Sequence, residues 1–200
     1  MSQNKVTFGL EKVHIAYLNT TSPTPTWDTP IPIPGAVKFS PKPEGDETTF
    51  YADNGPYWTY TSNNGYTAEL EVANIPDEVL AELLGWEIDA NGMLVETTDG
   101  EPKEFALLGQ ILGDKKNRRF VYYRCKASRP SKELNTRAES IKPDTDSLSI
   151  RILPIEVNGK NIVRGVMELN DKNTTVYNNF FKSVTIPGAT AAGGVMNENS

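Results

Sequence analysis

Residues 105–128, FALLGQILGDKKNRRFVYYRCKAS, constrain the fold more than any other stretch, because strand type and burial can be read from them together. Phe105 to Leu112 is apolar except at Gly109 and Gln110, which is the composition of a short strand buried on both faces. The next residues, Gly113 to Arg119, carry Asp114, Lys115, Lys116, Arg118 and Arg119. Burial would strip these charges of hydration, so the chain must turn back here at an exposed tip. On the return arm Val121, Tyr123, Cys125 and Ala127 alternate with Phe120, Tyr122, Arg124 and Lys126. This alternation predicts that the first set enters a core while the second meets solvent or a neighbour. Other strands must cover such a hairpin, so the expected fold is mainly β.

The preceding segments fit that frame. Val6, Phe8 and Leu10, then Val13, Ile15 and Tyr17, alternate with one change of phase, which predicts a bulge between Gly9 and Lys12. Asn19 to Pro34, with prolines at 23, 25, 30, 32 and 34, reads as an extended connector. Gly35 to Ser40 is a short strand expected to end at Pro41 and Pro43. Glu44-Gly45-Asp46, Asp53-Asn54-Gly55 and Asn63-Asn64-Gly65 are turn signals around Glu47 to Ala52 and the aromatic run Tyr57, Trp58, Tyr60. Pro41 to Gly65 would make a poor core, so it reads as a projecting loop or hairpin with something to hold on to.

Tyr66 to Ala73 alternates cleanly, with Ala68, Leu70 and Val72 on one side and Thr67, Glu69 and Glu71 on the other. A helix is expected over about 76–85: Pro76 suits its first position, Asp77 and Glu78 its positive end, and Gly85 its stop. Trp86 to Thr98, with Asn91-Gly92, reads as a small hairpin. Arg129 to Asp146 reads as a polar flap, and Ser147 to Val157 as a strand that Asn158-Gly159 returns into Ile162 to Leu169. Thr174 to Val184 suits a short helix, and Pro187 to Ser200 a flexible tail. All 200 residues are expected to form one domain.

Chemistry is sparse. The formal net charge of −6 argues against a protein that grips nucleic acid. The single cysteine, Cys125, excludes a disulfide framework and a cysteine-cluster metal site, and its mid-strand position suits a buried inert thiol. His14 is the only histidine, so neither a metal cluster nor a Ser-His-Asp set is apparent. Glu44, Asp46, Glu47 and Asp53 could supply a glycosidase pair, but acids in turns are ordinarily just solvated. Lys115, Lys116, Arg118 and Arg119 beside Tyr122 and Tyr123 suggest a single-stranded nucleic-acid reading. A solvated hairpin end that discourages stray strand pairing is the commoner meaning. No glycine-rich phosphate loop, signal-like N-terminus or membrane-length apolar run is present, so synthesis in a cytoplasm is expected. No cofactor or metal is expected.

Three segments carry a resemblance: Pro43 to Asn54 (PEGDETTFYADN), Asn63 to Glu78 (NNGYTAELEVANIPDE) and Gly113 to Ser131 (GDKKNRRFVYYRCKASRPS). Together with the acidic hairpin Glu87 to Thr98, they closely resemble the major tail protein family of long, non-contractile-tailed bacteriophages, over about 5–152 of this chain. The resemblance implies a β-sandwich or split barrel with one flanking helix, assembling as hexameric rings stacked into a tail tube through which DNA passes during ejection. It implies partners too: further copies of the chain, a tape measure protein, and tail tip and tail terminator proteins, in a virion assembled in the bacterial cytoplasm. DNA would transit without specific binding. A cell-surface or carbohydrate-binding β-sandwich would instead explain the scattered Trp27, Trp58 and Trp86, and an enzyme would need a pocket that the sequence does not display.

On the tube reading, Thr67, Glu69 and Glu71 are expected to face the channel, since they are the polar phase of a strand whose other phase is needed inside, and carboxylates repel phosphates. Glu44, Asp46, Phe50, Tyr51, Tyr57, Trp58 and Tyr60, in the projecting segment, are expected to contact a stacked ring. The flap 129–146 or the tail 187–200 is expected to guard a sheet edge before assembly.

Overall fold

A computed structural model describes residues 9–21, 24–114, 116–131 and 145–188. In chain order its strands are β1 (Leu10–Asn19), β2 (Thr26–Trp27), β3 (Ile31–Pro32), β4 (Ala36–Glu44), β5 (Glu47–Ala52), β6 (Gly55–Thr61) and β7 (Gly65–Val72). After helix α1 (Asp77–Leu84) come β8 (Glu87–Ile88), β9 (Leu94–Val95), β10 (Phe105–Ile111), β11 (Arg119–Ala127) and β12 (Asp146–Ile152). The chain continues through β13 (Ile155–Val157), β14 (Lys160–Ile162) and β15 (Arg164–Met167) to α2 (Thr174–Asn178). The fold is mainly β, as the alternation patterns predict, and sandwich-like, as the resemblance implies.

The main antiparallel sheet runs β1, β10, β11, β12, β7, β4, and β4 comes back beside β1, so the sheet curls around an interior. That interior takes Val13 and Ile15, Leu70 and Val72, Phe105 and Leu107, and Leu148 and Ile150 from successive strands. Helix α1 lies against it through Val79, Leu83 and Leu84. It runs from Pro76 to a left-handed Gly85 (φ 69°), whose N–H donates to the Ala81 carbonyl. This is the helix stop that the sequence signalled.

β10 is buried on both faces. Phe105 and Leu107 point inward, whereas Ala106 and Leu108 point outward with Ala16, Val121 and Tyr123 into a second core. Ile155 and Val157 from β13 and Phe180 from the segment after α2 cover this second core. The Tyr123 hydroxyl donates to the Thr185 carbonyl at 3.0 Å, and burial pushes its pKa up to about 12. Gly109 is required here, because a Cβ there would stand 2.4 Å from the Phe120 ring.

Several expectations need correction. The two sets on β11 do not divide into core and solvent, because its register on β10 slips between Phe105↔Cys125 and Leu107↔Tyr122. This bulge at Tyr123 and Arg124 moves Cys125 and Ala127 to the same core as Phe120 and Tyr122, and leaves only Lys126 exposed. Burial also raises the Cys125 thiol pKa, as suits an inert residue. In β1 the irregularity falls between Glu11 and His14, with Lys12 at φ 53°, a little later than the phase change suggested.

β4 does not end at Ser40 but continues to Glu44. The Ala73 and Asn64 N–H groups donate to the Gly35 and Glu44 carbonyls, with a bulge between Ala36 and Lys38, so the even-numbered residues after the bulge bond to β7. Pro41 and Pro43 therefore turn their missing donors away from β7, where an edge strand tolerates them. The projection accordingly starts at Gly45, not Pro41.

Pro154 divides the expected strand 147–157 into β12 and β13. Asn158 (φ 51°) and Gly159 (φ 71°) do close a hairpin, β13 on β14, but the chain then crosses to pair β15 with β11. The expected helix over 174–184 shortens to α2. Most of the flap and of the tail lies outside the described residues.

Since Phe180 is 1% exposed within the second core, Phe180→Ala is expected to cost about 3–5 kcal/mol in urea unfolding. A loss under about 1 kcal/mol would show that the outer layer does not belong to the cooperative unit.

Candidate assembly surfaces

Strands alternate in direction around the sheet, so their connections leave at two ends. The β5–β6 hairpin and the β10–β11 turn leave at one end, and α1 with the β8–β9 hairpin at the other.

The β5–β6 hairpin pairs with no other strand among the described residues. It is fastened at its base, where Ser62 N–H donates to the Asp46 carbonyl and Asn64 N–H to the Glu44 carbonyl, both at 2.9 Å. Beyond that base Phe50, Tyr51, Tyr57, Trp58 and Tyr60 are each between 55% and 73% exposed. Register gives the hairpin two unlike faces. Phe50 opposes Trp58 and Thr48 opposes Tyr60, so Phe50, Trp58 and Tyr60 share one face, with the Trp58 and Tyr60 rings stacked at 5.7 Å. Thr49 opposes Thr59 and Glu47 opposes Thr61 on the reverse. A two-stranded ribbon is marginal in water by itself, and each aromatic left exposed forgoes about 1.5–3 kcal/mol of burial.

Of the four candidate acids, Asp53 sits at the hairpin tip with φ 48°, while Glu44 sits at the base, 3.6 Å from Arg151. Asp46 accepts from the Asn64 amide at 3.3 Å. They are strung along the hairpin and form no facing pair that could share a substrate.

The second surface is the outer side of β4, β7 and β12. Here Thr67, Glu69 and Glu71 do form the outward phase, with Ala68, Leu70 and Val72 inward. The structure also supplies what the single-strand reading missed. Lys38, Ser40 and Lys42 oppose Glu71, Glu69 and Thr67 from one side, and Ser147, Ser149 and Arg151 oppose them from the other. Arg151 is in turn opposite Lys126. The acids are thus set among cations and hydroxyls: Ser147 Oγ donates to Glu69 at 3.0 Å, Thr145 Oγ1 donates to Glu71 at 2.8 Å, and Lys38 Nζ stands 3.9 Å from Glu69. An open groove of about 420 Å³ runs along this face past Lys42, Thr67, Glu69 and Arg151. The signal for its mixed charge lay in the alternation of Lys38-Ser40-Lys42 and Ser147-Ser149-Arg151, which becomes informative only once the strands are neighbours.

His14 stacks on Phe181 at 4.7 Å, and its Nδ1 lies 2.9 Å from the Lys12 carbonyl. Arg119 is likewise held, between the Tyr177 ring at 3.8 Å and the Phe181 ring at 4.8 Å, donating to Gln110 and to the Tyr177 carbonyl. Both residues fix the segment around α2 onto the sheet. Among the described residues, no three His, Cys, Asp or Glu side chains are grouped to hold a metal ion, and no helix is long and apolar enough to cross a membrane.

No family model and no curated protein matches the chain. Among solved structures it is similar to a chain of the PVC extracellular contractile injection system sheath–tube complex in the extended state (8% identity, 83% of this chain and 95% of that one, TM-score 0.46). It is also similar to a chain of the anti-feeding prophage tube terminating cap (6% identity, 84% and 97% covered, TM-score 0.46). A third is Hcp1 from Flavobacterium johnsoniae (9% identity, 76% and 99% covered, TM-score 0.35). Likeness this distant leaves function to be argued from the residues themselves.

Because Glu69 and Glu71 lie on the open face and their partners are surface hydroxyls and a lysine, Glu69→Lys with Glu71→Lys is expected to shift urea unfolding by no more than about 1 kcal/mol. A larger loss would mean that this face is needed for folding and is not free for another purpose.

Proposed function

We propose that the chain is a structural subunit of a phage-type tail tube, assembling as hexameric rings that stack into a conduit for DNA. The observation that carries this reading is the β5–β6 hairpin. It is a long ribbon with five exposed aromatics, built on a sheet whose own core it does not enter. A surface so costly to leave in water has its partner outside the subunit. The resemblance of 43–54, 63–78 and 113–131 to major tail proteins supports the same reading, and makes the partner another copy of the chain.

In this scheme Phe50, Trp58 and Tyr60 form the buried side of the contact with a stacked ring, and Tyr51 and Tyr57 extend it at the tip. Thr67, Glu69 and Glu71 face the channel. With Lys38, Lys42 and Arg151 among them, the wall they form is hydrophilic and close to charge balance, so that DNA slides past it with little attraction and little repulsion. Tape measure, tip and terminator proteins complete the virion tail.

The stacked Trp58–Tyr60 pair favours a second reading, a platform for a sugar ring on a cell-surface module. Electron microscopy and sedimentation of the concentrated protein separate the two. The wild type is expected to form rings or tubes, and Phe50→Ser with Trp58→Ser and Tyr60→Ser to stay unassembled with unchanged circular dichroism. Normal tubes from the triple variant would overturn the role of the hairpin. A monodisperse monomer that binds glycans would overturn the tube itself.

A further inference from the structure

The two ends of the sheet differ in charge as well as in shape. Residues 77–101, which hold α1 and the β8–β9 hairpin, contain eight carboxylates and no Lys or Arg, although the whole chain carries only −6; two of the eight are paired from outside the segment, Glu82 by Lys103 and Glu96 by Arg129 at 2.8 Å. The remainder of the chain is therefore net positive. Among the described residues, apolar side chains of this lobe stand exposed: Met93 is 62% exposed and Val95 36%, Val95 sharing a hairpin face with Glu87, while Ile88, 42% exposed, lies on the other face with Leu94. β8 and β9 are two residues long, Met93 directly precedes β9, and the Asp89 carboxylate braces the turn between the strands by accepting the Asn91 and Met93 N–H groups at 2.8 Å. The face that carries Val95 beside Glu87 offers an apolar contact next to an acid, and so fits a partner that offers a cation beside an apolar contact.

The chain carries such a surface at its opposite end. Lys103 and Glu104 lead from the lobe into β10, which ends roughly 20 Å further on at the Gly113–Arg119 turn. Four cations lie in this turn; Lys116 pairs with Glu168 at 3.0 Å, Arg118 with Asp114, and Arg119 is held by Gln110 and Tyr177, so the turn carries four cations against Asp114 and Glu168. This turn is rigid. Asp114 is buried and accepts the N–H groups of Lys116 at 3.1 Å and Arg118 at 3.4 Å, together with the Arg118 side chain. The Arg118 hydrogen bond holds the Asp114 carboxyl below the usual carboxylate range, so the brace persists at any pH where assembly would occur. Leu112, 45% exposed, stands at the start of the turn as its apolar contact.

We infer that the α1/β8–β9 lobe is the docking surface for the β10–β11 turn of a second copy, so that subunits meet head to tail. The inference rests on the tube reading and adds to it which surfaces meet. The contact is heterologous, since unlike ends of the same chain pair, and such contacts propagate in one direction. The hairpin at the same end as the turn works as a repulsive guide. Glu44, Asp46, Glu47 and Asp53 make residues 44–66 acidic with no Lys or Arg, so the hairpin is kept off the lobe while the turn is drawn to it. Attraction at one point and repulsion at another fix the rotation of one copy on the next.

The test is a charge exchange read as the critical concentration for polymerisation. Glu87→Lys with Glu101→Lys alters the lobe without touching the Asp89 turn. Lys116→Glu alters the turn and breaks the exposed Lys116–Glu168 pair while leaving the Asp114 side-chain brace in place, and Glu168→Gln, which breaks the same pair without adding an acid, is expected to leave the critical concentration unchanged. The lobe and turn changes are each expected to raise the critical concentration about tenfold at low salt, with thermal unfolding unchanged, and those three substitutions combined in one chain to recover most of it. Should the lobe variant unfold, Glu87→Gln with Glu101→Gln replaces it, with a smaller rise expected. Lobe and turn variants that polymerise like the wild type, or a combined chain no better than the lobe variant, would overturn the docking while leaving the tube intact. A wild type that forms no polymer at any concentration would overturn the tube reading and the docking with it.

Discussion

The fold depends on one strand having no solvent side. β10 buries Phe105 and Leu107 in one direction and Ala106 and Leu108 in the other, so two apolar layers must be brought to it. The curled sheet and α1 provide the inner layer, while β13 and the segment after α2 provide the outer one. Each alternative face left wet would forfeit several side chains' worth of burial, at about 1.5–3 kcal/mol each. The chain spends its C-terminal residues on this task, as the placement of Phe180, Tyr177 and the Tyr123–Thr185 hydrogen bond shows.

That allocation decides what remains uncovered. Among the described residues the outer layer reaches over β1, β10 and β11 and leaves the outward side of β4, β7 and β12 open, and the sequence there is hydrophilic. The β5–β6 hairpin extends from the same bare half, beyond the reach of either core. The proposed tube subunit would use such a division, with one half of its sheet packed for stability and the other presented to neighbours and to the channel. Among the described residues the edge of β4 away from β7 comes beside β1 without pairing to it, and Pro41 and Pro43 remove two donors there that a stray strand would otherwise pair with.

Where a local pattern determined structure by itself, it was legible in the sequence: the two-faced arm 105–110, the polar phase of β7, the ends of α1, the Asn158-Gly159 turn and the projecting aromatics. Where structure depended on a partner strand, it was not. The β11 bulge reverses the facing of Cys125 and Ala127, and it falls after Phe120 to Tyr123, where both phases are apolar and an extra residue leaves no mark in the alternation. Pro41 and Pro43 read as strand breakers because their tolerance depends on which edge of β4 has a neighbour. The acids of β7 read as an acidic wall because the lysines and Arg151 opposite them are more than twenty residues away in sequence, on strands whose order is set by tertiary packing.

The central claim is that residues 47–61 are completed by another copy of the chain. Amide hydrogen exchange of the free subunit and of the assembled polymer addresses it most directly. In the free subunit this hairpin should exchange orders of magnitude faster than β10, and in the polymer it should approach the protection of the core strands. Equal protection of the hairpin in both states would contradict the account.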